Sequence, residues 1–150
     1  MINVFPTTGT DFSGWNPRVD EVALYSDFDT HALDMLEQSE DTRTIRAPGG
    51  EIIGIVGVIL NRPACGSAWA LLSERITMHP IETTKVVRKL MELFASTHEL
   101  RRLDMLVNGS SQRNIKWAKV LGFQEEGILK GFGDNGEDIN IMARYWNVRN

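Results

Sequence analysis

Apolar and polar positions recur along this chain with two different periods, and the switches between them mark its elements. Thr42 to Ala47 reads as a strand, Pro48-Gly49-Gly50 as a turn and Glu51 to Leu60 as a longer strand, so the two form a hairpin. Ala68 to Ile76 reads as a third strand, with Ala68, Ala70, Leu72 and Glu74 on one face and Trp69, Leu71, Ser73 and Arg75 on the other. The period then lengthens: Val87, Leu90, Met91 and Phe94 fall at i, i+3, i+4 and i+7, which predicts a helix over 84–97. Leu103 to Val107 is another short apolar strand. A second helix runs from about Ser111 to Leu121, with Ile115, Ala118 and Leu121 inward and Lys116 and Lys119 outward. Gly122 sits where a left-handed residue ends a helix. Gly127 to Phe132, the turn Asp134-Asn135-Gly136 and a strand from Asp138 to Tyr145 close the chain as a hairpin.

Before residue 42 the pattern is weaker. Thr7 to Asp20 is rich in Gly, Pro, Thr, Asn and Asp and reads as loops with short helical turns. Asp20 is a candidate cap for a short helix through Tyr25. Asp29 or Thr30 is a candidate cap for another, which buries Ala32, Leu33, Leu36 and Met35. With no repeat, low-complexity tract or linker, residues 1–150 read as one domain. The element order implies an α/β chain with a mixed sheet and helices packed on its faces. A right-handed crossover through the 84–97 helix joins two parallel neighbours.

Composition narrows the function classes. The 150 residues are 42% apolar and 24% charged, with a net charge of −4, an ordinary soluble composition. A non-specific nucleic-acid binder would mass Lys and Arg against phosphate, and here they are scattered. The lone Cys65 has no partner for a disulfide or a metal spacing. The start of the chain lacks the pattern of a signal peptide. The most apolar run, Ile52 to Leu60, has nine residues with two glycines and is too short for a membrane span. These features imply a cytoplasmic protein without a membrane or nucleic-acid partner.

The tract Asn108-Gly109-Ser110-Ser111-Gln112-Arg113-Asn114-Ile115-Lys116-Trp117-Ala118-Lys119-Val120-Leu121-Gly122-Phe123, followed by Gln124-Glu125-Glu126-Gly127, resembles the GNAT N-acetyltransferase pattern of strand, small helix, Leu-Gly-Phe and Glu-Gly. Ile76-Thr77-Met78-His79-Pro80 resembles the end of that family's central strand, and the long helix after it stands where the family's pyrophosphate-binding helix stands. The resemblance covers roughly residues 43 to 145 by element order and 103 to 128 by motif. It implies a mixed, mostly antiparallel sheet with one parallel central pair and helices on both faces. It also implies an acetyl-CoA-dependent transfer of an acetyl group to an amine. Trp69, the Lys/Arg-bearing long helix and the Asn-Gly-Ser-Ser tract are similar to features of short-tailed bacteriophage proteins with a GNAT-like fold, some of them internal virion or core proteins.

What the resemblance implies for individual residues follows position by position. The phosphate-binding tract falls on Ile81-Glu82-Thr83-Thr84-Lys85-Val86-Val87-Arg88. It has no glycine, a residue that lets phosphate approach the main chain. Thr83 or Thr84 is left as a helix cap, Lys85 and Arg88 as charged donors, and Glu82 as a repelling group. Ile76, Thr77 and Asn108 complete the cofactor set, with the main chain near Ile76 holding the oxyanion. The acyl-CoA is expected in the gap between Ser73–Thr77 and Met105–Asn108. The family's acid Tyr falls at Ala118, beside Trp117, so Ser110 or Ser111 would have to act through water. Glu74, on the face shared with Ala70 and Leu72, is the candidate base; the alternative is a strand-end charge paired with Arg75 or solvated.

His31, His79 and His98 are too dispersed for a metal site. His79, beside the cofactor turn, is a candidate substrate contact or an ordinary turn residue. Cys65 reads as inert in a hairpin turn. The four tryptophans read chiefly as buried area, with Trp146 the candidate for a homodimer contact. Asp134-Asn135-Gly136 is either a simple turn or a calcium-like cluster. Two functions stay open: an acetyltransferase, and a non-catalytic module on the same fold that contacts a virion component or a host protein.

Overall fold

A computed structural model describes residues 1–12 and 28–146. Its described strands are β1 (Asn3–Pro6), β2 (Asp41–Arg46), β3 (Ile52–Arg62), β4 (Cys65–Leu72), β5 (Arg102–Asn108), β6 (Gln124–Leu129) and β7 (Ile139–Tyr145). Its described α-helices are α1 (Phe28–Gln38), α2 (Pro80–Thr97) and α3 (Gln112–Val120). The strands form one sheet in the order β1-β2-β3-β4-β5-β7-β6, with every described pair antiparallel except β4–β5.

Helices cover both faces, and the strand residues divide accordingly. On one face Ala32 and Met35 of α1 pack with Ile52, Ile55, Trp69 and Leu71. On the other, Val87, Leu90, Met91 and Phe94 of α2 and Ile115 and Ala118 of α3 meet Val56, Val58, Leu103, Met105 and Met142. Burial on both sides explains why β3 reads as a nearly unbroken apolar run, since Ile52 to Val58 are all buried. Phe94, fully buried, is the largest side chain at the centre of the α2 face. The Trp69 indole N–H donates to Ser39 Oγ (2.8 Å), tying the end of α1 to β4. No described helix is long and apolar enough to cross a membrane.

The hairpin at 42–60 and the α2 periodicity stand where the pattern placed them, and the closing hairpin forms with its first strand three residues earlier, Gln124–Leu129 rather than Gly127–Phe132; four further differences follow. β4 runs from Cys65 to Leu72 rather than Ala68 to Ile76, and Glu74–Met78 forms a 3-10 turn. Ser73 explains the break: its hydroxyl accepts from Arg75 N and bonds back to Ile52 O (2.8 Å), turning the chain out of the sheet. α2 begins at Pro80 with His79 as N-cap, so Thr83 and Thr84 lie inside the helix and cap nothing; proline at the first helical position suits that start. β1 was unread because it is four residues, all exposed, with Pro6 on the sheet's edge. α1 already includes Asp29 and Thr30, and Leu33 is exposed while Ala32 and Met35 are buried. The helix expected over Asp20–Tyr25 lies outside the described residues.

Candidate active-site cleft

The parallel pair is short. Register holds only for Cys65↔Arg102, Gly66↔Leu103 and Ser67↔Asp104, after which β4 and β5 part. Main-chain groups that a continuous ladder would consume are thereby aimed into a gap. Ala64 O accepts from Arg101 N (2.8 Å) on the β5 side, whereas Ser73 N donates to Ile53 O on the β3 side. Alternation along the strand therefore points the amide of Ala70 towards β5, beyond the last paired residue.

The gap opens into a cleft of about 470 Å³. Its walls are Ser67–Leu72 of β4 and Asp104–Asn108 of β5. Asn114, Trp117 and Ala118 come from α3, Asp34 and Gln38 from α1, and Phe132 to Asp134 from the β6–β7 connection. Each side chain is there for a local reason. Leu121 and Phe123, both buried, anchor the turn after α3, and Gly122 between them takes φ +98°, the left-handed conformation expected of it. That turn holds α3 against β5, so Trp117 and Ala118 face the opening.

The polar lining is one-sided in charge. Asp34, Asp104 and Asp134 supply three carboxylates, and no Lys, Arg or His stands among the described lining residues. Asp104 sits at the last paired rung, half-buried. It accepts from Ser67 Oγ (2.6 Å) and from Arg102 Nη2 (3.4 Å), and Asn61 Nδ2 donates in turn to Ser67 Oγ (2.6 Å). Arg102 also holds Glu126 with both terminal nitrogens, and Tyr145 donates to the same carboxylate. These bonds from Arg102 and then Tyr145 depress the Glu126 carboxyl to about 2. They push the Arg102 guanidinium and the Tyr145 phenol upwards in pKa.

Of the residues assigned catalytic or cofactor-binding roles from the sequence, Asn108 alone is in the described lining of the cleft; its Oδ1 accepts from Ser110 N (3.0 Å) and Ser110 Oγ (2.8 Å). Ser111 is the buried N-cap of α3, outside the described lining. Glu74 is off the strand, exposed at the surface, and pairs with Arg113 (3.3 Å) rather than Arg75. The Ile76 N–H is taken by Ser73 O (3.2 Å), and Thr77 Oγ1 bonds Glu74 O (2.8 Å). The gap accordingly lies between Ser67–Leu72 and Asp104–Asn108, one strand end earlier on β4 than expected. Thr83 is fully buried, Thr84 accepts from the Trp117 indole (2.9 Å), and Lys85 is exposed. Arg88 reaches Val120 O (3.2 Å) at the end of α3.

His79 is the N-cap of α2, and His98 ends the helix with Nε2 3.5 Å from Asp41 Oδ2. Trp146 is engaged within the chain, donating to Glu92 (3.0 Å) beneath the Arg144 guanidinium. Asp104 was missed because a polar residue alternating on a strand reads the same whether it faces solvent or a cleft. The usable signal was its place beside the parallel crossover.

A mixed sheet of this order, parted after its single parallel pair and covered by helices on both faces, is the fold of the GNAT N-acetyltransferases. Several solved structures share this fold. A spermidine N-acetyltransferase from Vibrio cholerae, in complex with CoA and spermine, aligns with a TM-score of 0.75 at 13% identity, over 96% of this chain and 95% of that one. An IAA acetyltransferase from Bacillus cereus aligns at 0.74 and 14% identity, over 97% and 100%. An aminoglycoside acetyltransferase in complex with coenzyme A aligns at 0.71 and 18% identity, over 97% and 95%. At these identities the likeness establishes the fold. No family model matches the chain, and no curated protein does either.

Proposed function

We propose that this chain transfers an acetyl group from a pantetheine thioester such as acetyl-CoA to an amine. The observation that carries the reading is the parting of β4 and β5 after three residue pairs, which leaves the Ala70 amide facing the cleft. A bound acetyl-CoA would supply an activated carbonyl. The acceptor nitrogen, freed of one proton, forms the new C–N bond to that carbonyl while the C–S bond breaks, and a second proton from the nitrogen passes to the departing thiolate. The Ala70 N–H is placed to donate to the oxygen as it gains charge. Asp104, fixed by Ser67 at the floor of the cleft, accepts the proton lost by the amine. Asp34 and Asp134 add negative charge to the lining and favour an acceptor that arrives as a cation. Glu74, exposed at the surface and outside the described lining, retains the base role read from the sequence as the alternative.

The test is thiol release with acetyl-CoA against a panel of amines, paired with calorimetric titration of acetyl-CoA. Saturable binding and thiol release that needs both substrates support the reading. No heat and no release at millimolar donor sink it. A second reading, a bacteriophage module on this fold that binds a virion or host protein without catalysis, draws support from the start of α2. There Glu82 occupies the first turn and no glycine stands. Under that reading the protein is inert in both assays.

A further inference from the structure

We infer that the acyl donor is held by its pantetheine arm and thioester alone, and that its nucleotide end contributes little to binding. The inference rests on the proposed acetyltransferase reading and concerns which part of the donor the site recognises.

The phosphates of a nucleotide need amides or cations. The helix start that follows β4, the nearest in sequence to the cleft wall, supplies few of either. Pro80 opens α2 without an N–H, and the Thr83 amide is spent on His79 O (3.0 Å), leaving at most the amides of Ile81 and Glu82. Glu82 puts a carboxylate in that first turn, fixed by the Ile2 N–H (2.6 Å). The Thr84 hydroxyl is engaged twice, donating to Pro80 O (2.6 Å) and accepting from Trp117. Lys85, exposed one turn on, carries a single charge equal and opposite to that of Glu82, and Arg88 is directed to the carboxyl end of α3. The surface at this turn is apolar instead: Met78 and Ile81 are 67% and 72% exposed. None of residues 73–88 is among the described lining of the cleft. The cleft itself suits a pantetheine arm, with the Ala70 amide and the Asn108 and Asn114 side chains set among apolar walls.

The experiment compares acetyl-CoA with acetyl-pantetheine, which lacks the nucleotide, by calorimetry and by turnover. Charge-assisted phosphate contacts would favour acetyl-CoA by well over an order of magnitude; without them the two dissociation constants agree within about fivefold. Glu82→Gln keeps an acceptor for Ile2 and removes the charge. It should tighten acetyl-CoA about threefold and leave acetyl-pantetheine unmoved. A preference for acetyl-CoA above about fivefold, or a Glu82→Gln protein that binds acetyl-CoA no better, overturns the inference. Failure of both donors to bind overturns the acetyltransferase reading itself. Where the inference stands, an acetylated carrier protein as third donor fixes the source of the arm: faster turnover than acetyl-pantetheine assigns it to a carrier, equal turnover to free thioesters.

Discussion

The Trp69 indole fills the space above Gly57, its cross-strand partner: a Cβ on Gly57 would lie 2.5 Å from Trp69 Cζ2. The ring cannot retreat freely, because its N–H is bonded to Ser39 and α1 packs over it. Gly57→Ala should therefore cost about 1–3 kcal/mol, the usual range for overpacking a core. Urea unfolding measures this. Because Trp69 also lines the cleft, donor affinity should fall in the same protein. Ser39→Ala removes the hydrogen bond without the clash and should cost about 1 kcal/mol.

Asp104 and Glu74 are separated by a pair of substitutions. Asp104→Asn keeps the size of the side chain and removes the base, and should lower kcat by about 100-fold or more. Glu74→Gln alters an exposed ion pair and should leave kcat within about twofold. The reverse order would restore the sequence-based assignment of the base.

Glu126 couples stability to acid. Its carboxyl is depressed from an ordinary value near 4.5 to about 2, first by hydrogen bonds from Arg102 and then by the one from Tyr145. A depressed carboxylate stabilises the fold fully above its unfolded pKa, and that contribution fades as pH falls from about 4.5 towards 2. The Tm difference between the native protein and Glu126→Gln should be constant around neutrality and close across that window. A gap that stays constant down to pH about 2 would show that the pair contributes nothing.

Gly122 makes a second glycine prediction of a different kind. At φ +98° any side chain is strained, and a Cβ would meet Arg144 Nε at 3.0 Å. Gly122→Ala should cost about 1–2 kcal/mol. Arg144 also donates to Leu121 O (3.0 Å), so the substitution disturbs the cap of α3 as well as its backbone. Thermal unfolding reads the loss.

What could be read in advance divides by range. The α2 stripe of Val87, Leu90, Met91 and Phe94 and the Leu-Gly-Phe turn are local signals, and they located both helices of that face and the strand between them. The strand placement of Glu74 differs for an equally local reason. Its alternation with Ala70 and Leu72 continues on paper, but Ser73 spends its hydroxyl on β3 and turns the chain aside. The meeting of Asp104 with Ser67, and of Trp69 with Gly57, belongs to partners 37 and 12 residues apart, and nothing in either neighbourhood announces the other. The start of α2 lay between these cases: Pro80 was visible, while the use of Thr84 by Trp117 depended on two helices meeting.

The three rungs that join β4 to β5 form a seam between two plates of the sheet. One plate is the four strands β1 to β4 with α1, the other the three strands β5, β7 and β6. A molecule lodged beyond the seam would touch both plates at once, since the cleft is lined from β4 on one side and β5 on the other. The Ser67–Asp104 side-chain hydrogen bond lies across the last rung of that seam, and Ser67→Ala would remove one tether from the Asp104 carboxylate while leaving the main-chain rung in place.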